Sequence, residues 1–142
     1  MRLSISEILI NTSKLSKKEE KIAYLRNNYN PVLGQILKYT FEPQFVWELP
    51  PGDPPYKPSD YPDSHGMLYT EARRLYLFLK GGNPNLTQFR REILYITLLE
   101  TVHPDDAKLL LAIKEKKLPY KGLTINFIKE ALPGLIDEQV NV

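Results

Sequence analysis

The sequence predicts an all-α fold, a compact multi-helix bundle of about seven short helices with one long proline-rich loop, and three observations predict it. Apolar residues recur three and four apart on both sides of a central segment, which is the spacing that lines one face of a helix. No stretch alternates apolar and polar residues convincingly enough to read as a strand. Seven of the 12 prolines fall between residues 41 and 66, and proline lacks the N–H that a helix interior needs. At 142 residues, 42% hydrophobic and 25% charged, the chain has the size and composition of one globular domain, spanning 1–142.

Ser4 with Glu7 and Ser16 with Glu19 have the spacing of capping boxes, and each predicts a short helix behind it. The second runs over about 17–28, with Ile22 and Leu25 on one face and Lys17, Lys18 and Lys21 elsewhere. Asn30 before Pro31 predicts a cap followed by a first-turn proline, opening a helix through Tyr39. The loop, about 41–66, is expected to be pinned to the body by Phe45, Trp47, Tyr56 and Tyr61. After it, Leu68, Ala72, Leu75, Tyr76 and Leu79 predict an amphipathic helix that Gly81-Gly82-Asn83-Pro84 ends. Leu86, Phe89, Ile93, Ile96 and Glu100, widened by Leu94 and Leu98, predict a largely buried helix. His103-Pro104-Asp105-Asp106 starts another, running to about Lys117, with its acids at the positive end of the helix dipole. Thr124 caps a last helix that Pro133-Gly134 ends.

Composition excludes several chemistries. The absence of cysteine removes disulfide scaffolds, thiolate metal sites and thiol catalysis, and fits an intracellular protein. Charged residues interrupt every apolar run well before the roughly 18 residues a membrane span needs, so no membrane partner is expected. Met1 to Ile10, with one basic residue and Glu7 inside its apolar stretch, reads as folded protein rather than a secretory signal. The two histidines read as a loop residue, His65, and a helix cap, His103. Asp105 and Asp106 lack the spacing of a calcium loop, and no phosphate-binding glycine motif occurs. No catalytic residue, cofactor or metal is therefore expected.

Charge distribution carries the functional signal. Residues 41–66 hold five acids against the single Lys57, which leaves the rest of the chain net basic. Lys114, Lys116, Lys117 and Lys121 cluster before the last helix, next to Gly122, Thr124 and Asn126. Lys80, Asn83 and Asn85, with Arg90 and Arg91 a turn later, form a second group. Lysines beside interhelical turns hold phosphates without reading bases. They equally solvate helix ends, and spacing alone leaves both readings open.

From Lys18 to Ile136 the chain resembles the N-terminal helical DNA-binding domain of ATP-dependent DNA ligases, in the form found in T-even bacteriophages. The similar stretches are Lys18-Glu-Glu-Lys-Ile-Ala-Tyr-Leu25, Gly81-Gly-Asn-Pro-Asn85, Asp105-Asp-Ala-Lys-Leu-Leu110, and Leu118-Pro-Tyr-Lys-Gly-Leu-Thr124 leading to Pro133-Gly-Leu-Ile136. The resemblance implies weakly sequence-specific binding of double-stranded DNA, through the backbone and minor groove, by the turns at 81–85 and 116–124. It also implies a free-standing phage accessory protein of replication, repair or recombination, working in the cytoplasm of an infected bacterium. The Asp-Gly pair of the ligase Lys-x-Asp-Gly motif is absent, so ligation by that route is not expected. The turn at 118–122 is about one residue longer than the phage ligase pattern, and the acidic proline loop is a further departure.

The loop supports a different reading. Trp47, Pro54, Pro55, Tyr56 and Tyr61 suit the groove of a phage or host protein partner, which would make the chain an interaction adaptor on a ligase-like scaffold. The same loop could instead cover apolar helix surface, or lie across the basic turns as an acidic mimic of DNA.

Overall fold

The computed structural model describes residues 2–60 and 64–137. The architecture is all-α, with helices α1 (Ile5–Lys14), α2 (Lys18–Asn27), α3 (Pro31–Phe41), α4 (Met67–Glu71), α5 (Gln88–Thr101), α6 (Pro104–Ile113) and α7 (Ile125–Ala131). Four ends follow from local chemistry. Ser4 Oγ accepts from Glu7 N–H, and Glu7 Oε1 accepts from Ser4 N–H at 3.1 Å, forming the expected capping box. Asn30 Oδ1, His103 Nδ1 and Thr124 Oγ1 accept the backbone N–H groups of Leu33, Asp105 and Phe127. The second predicted box does not form, because α2 starts at Lys18 with Lys17 in the cap position and no side-chain cap. Glu19 and Glu20 in its first turn still face the positive end of the dipole.

Helix α6 is the axis of the core, with Leu109, Leu110 and Ile113 wholly buried. It packs against α1, α3 and α5, while α2 lies between α1 and α7. Asp106, also wholly buried, accepts from Ser6 N–H at 3.0 Å and so ties the first turn of α6 to α1. Its second carboxylate oxygen has no hydrogen-bond partner among the described residues, and burial pushes its pKa up against the opposing hydrogen bonds from Ser6. Tyr95 of α5 donates its hydroxyl to Leu110 O at 2.9 Å, and burial raises its pKa as well.

Two helices differ from expectation for physical reasons. The predicted helix over 68–79 is the short α4 followed by a 3-10 segment, Ala72–Phe78, whose buried residues Ala72, Leu75 and Phe78 recur every three positions. That is the period of a 3-10 helix. Phe78 faces inward, edge-on to Tyr95, and Tyr76 is 46% exposed. In α5 the inward face is Tyr95, Leu98 and Leu99. The predicted stripe is only partly buried: Leu98 is in the core and Leu86, Leu94 and Ile96 are half-buried, but Phe89 is 76% exposed and Ile93 is 37% exposed. The α5 sequence is apolar on several sides, so its own spacing did not select which side the core takes.

The proline loop is pinned, though only partly by its aromatics. Trp47 is buried, donating its indole N–H to Tyr39 O, and Phe45 and Tyr56 pack half-buried against the core. Residues 46–48 lie antiparallel to 78–80, with Glu48 N–H on Phe78 O and Lys80 N–H on Val46 O. Further along, Gln88 donates to Glu48 O, Lys114 to Pro50 O, Gly52 N–H to Glu115 and Lys57 N–H to Glu100. The loop therefore runs over α5 and the C-terminal end of α6. Tyr61, expected among its anchors, lies outside the described residues.

Candidate nucleic-acid interface

Three of the expected DNA-contact residues are tied into the protein. The Lys116 ammonium donates to three backbone carbonyls, Tyr39 O at 3.0 Å, Glu42 O at 2.9 Å and Phe45 O at 2.7 Å. One acceptor for each N–H leaves none for a phosphate. Burial lowers its pKa, and nearby Glu42 partly opposes that. Lys114 is buried and donates to Pro50 O and to Glu115, whose carboxyl it holds below the usual range. Arg91 turns inward, donating to Leu77 O, Leu86 O and Gln88 Oε1. Lys114, Lys116 and Arg91 are thus structural braces, and a sequence does not distinguish a braced cation from a free one.

What remains is two corners. At the first, Gly81 takes a left-handed φ of 81° and Asn83 Oδ1 accepts from Asn85 N–H at 3.0 Å, which presets the turn. Lys80 and Arg90 stand exposed beside it, with no ion pair among the described residues. Consecutive carbonyls stitch this corner to the end of α6: Phe45 O accepts from Lys116, and Val46 O from Lys80 N–H.

The second corner is assembled from distant parts of the chain. Ser13 Oγ donates to Lys121 O at 2.9 Å, docking the turn before α7 onto the end of α1. Gly122 has a φ of 83°, and a Cβ there would stand 3.2 Å from Lys21 Nζ. Ser16, Lys18, Lys21, Gly122, Thr124, Asn126 and Glu130 line an open cleft of about 330 Å³. Lys18 is paired with Glu130 at 2.6 Å, whereas Lys14, Lys17, Lys21 and Lys121 form no ion pair among the described residues. Spacing in the sequence sets Lys17, Lys18 and Lys21 only off the Ile22 and Leu25 face of their helix; it is the fold that brings Lys21 against Gly122. Lys117 is exposed on the stretch between the braced lysines and this corner. Thr124 keeps its hydroxyl for the α7 cap.

The loop residues offered to a protein partner are divided. Trp47 is in the core, Tyr56 and Pro54 are half-buried, and Pro55 is exposed. The two histidines come together: their rings lie edge-to-face with centroids 5.8 Å apart, and His65 contacts Glu7. Among the described residues no group of three His, Cys, Asp or Glu side chains is placed to hold a metal ion, and no helix is long and apolar enough to cross a membrane.

No curated protein matches the chain. A family defined by sequence does: residues 8–120, from within α1 to the residue before Lys121 and most of the chain, match it. The chain belongs to the DUF6433 family, a family of unknown function.

Proposed function

We propose that this chain is a non-catalytic binder of duplex DNA, gripping the phosphate backbone at two corners of the bundle with little base specificity. The observation that carries the reading is Lys21 and Lys121, two residues a hundred positions apart in the sequence, brought to either side of Gly122 with no ion pair to either among the described residues, the nearby Glu130 being paired with Lys18. Glycine there keeps the corner open. Lys80 and Arg90, with the Asn83 and Asn85 turn, supply the second grip. Such contacts position a duplex and carry no sequence information. The resemblance of its turns to those of ligase DNA-binding domains agrees with this reading, and with it the role of an accessory protein in phage replication, repair or recombination. The loop, pinned over α5 and α6 with Trp47 inside, serves as cover for the helices beneath it.

The test is a fluorescence anisotropy titration of an end-labelled duplex in rising salt, comparing wild type with the Lys21→Ala, Lys121→Ala double variant. Each phosphate contact releases condensed counterion and contributes about 0.9 to the log–log slope. The double variant is expected to bind more weakly, with a slope shallower by about 2. Its thermal unfolding should stay near wild type, since neither amine braces the backbone. An unchanged slope and affinity would reject the proposal for this corner.

A further inference from the structure

Helix α5 exposes an apolar ridge that the core does not use. Phe89, in its first turn, is 76% exposed, and Ile93 one turn later is 37% exposed. The ridge stops there: Thr97 and Glu100, next along the same face, are polar and exposed, and Ile96 is turned under the proline loop. A helix face that docks into a protein groove needs anchors over two or more turns, and a stable protein interface covers roughly 800 Å² per partner. One turn with a single projecting ring is far smaller.

The surroundings of Phe89 suit a different occupant. Arg90 follows it directly, and Lys80 lies on the adjoining turn, both exposed and unpaired among the described residues. Helical side chains lean toward the N-terminus, which for a first-turn residue is the side of the 81–87 turn that carries Asn83 and Asn85. The mount is stiff. Thr87 Oγ1 caps the helix, Gln88 is bonded to Glu48 O, and the Arg91 guanidinium bolts Leu77 O to Leu86 O. An apolar tip on a rigid support, flanked by cations, matches a base step whose two phosphates take the cations.

We propose that Phe89 is a wedge that enters between adjacent base pairs of the bound duplex, so that this corner deforms the DNA as well as holding it. The inference rests on the duplex-binding reading above and adds to it the structural change in the DNA. Proteins that insert apolar side chains at base steps unstack and kink the helix.

A duplex carrying a fluorescent purine analogue, which brightens when unstacked, reads the wedge separately from the grip. Wild type is expected to raise its fluorescence at saturation. Phe89→Ala should abolish that rise and weaken binding about 10-fold while leaving the salt slope unchanged. Phe89→Leu should retain part of the rise. A saturated wild-type complex with no rise, or an undiminished rise with Phe89→Ala, would overturn the wedge while leaving backbone binding intact. Absence of any salt-dependent binding by wild type would remove both readings. Self-association of wild type that Phe89→Ala abolishes would then assign the ridge to an interface between copies of the chain.

Discussion

Lys116→Ala is expected to lose about 3 kcal/mol of folding stability. Its ammonium satisfies three carbonyls, those of Tyr39, Glu42 and Phe45, where α3 gives way to the loop. Hydrogen bonds to a charged group contribute about 1.5 to 3 kcal/mol each, but the lysine is only half-buried, so water would recover part of the sum. The loss should appear as a lower urea midpoint. The backbone supplies an internal control. Lys116 has a φ of 65°, a left-handed conformation that costs a residue with a Cβ about 1 kcal/mol more than glycine. Lys116→Gly removes the same ammonium and should therefore be the milder of the two variants. Equal stability of wild type and both variants would mean that the three carbonyl bonds contribute nothing. The same residue shows why replacing Lys116, Lys117 and Lys121 together is a poor test of DNA binding: it would damage the fold.

Gly82→Ala is expected to destabilise the first basic corner by about 3 kcal/mol. A Cβ at Gly82 would stand 1.9 Å from Tyr76 O, well inside any tolerable contact, and 3.2 Å from Leu79 O. Both oxygens already accept turn hydrogen bonds, from Leu79 N–H and Gly82 N–H. They cannot give way without displacing the 78–80 segment that pairs with 46–48. Gly81→Ala is the contrast. No atom lies within 4 Å of a Cβ there, and only the φ of 81° resists it, so it should cost about 1 kcal/mol. Urea unfolding of the two variants side by side checks the ranking, and Gly81→Ala proving the more damaging would contradict it.

Most of the fold was legible because it is specified locally. Ser4, Asn30, His103 and Thr124 each cap a helix within three residues of themselves, and prolines confined the loop to one stretch. The sequence was least informative where a choice depends on contacts far along the chain. Helix α5 offers apolar residues on several sides, and the core selected Tyr95, Leu98 and Leu99, leaving Phe89 outside. The 3-10 segment could have been suspected from Ala72, Leu75 and Phe78 at intervals of three, but Tyr76 and Leu79 fitted a helix equally well.

The candidate site divided along the same line. The turn at 81–85 and the cap at Thr124 were visible as glycine and threonine in a pattern. Whether a lysine is free was not, because Lys116 and Lys121 differ only in which distant groups surround their ammonium ions. Lys116 meets carbonyls of residues more than 70 positions away. Lys121 is brought beside Lys21 by a hydrogen bond from Ser13, 108 positions away.

If the unpaired cations of the two corners hold the backbone of one duplex, wild-type binding must weaken steeply with salt. With Lys17, Lys21, Lys80, Arg90 and Lys121 engaged, the logarithm of affinity should fall linearly with the logarithm of salt concentration at a slope of about −4.5. A slope near zero, or no binding at low salt, would mean that these cations do not hold DNA.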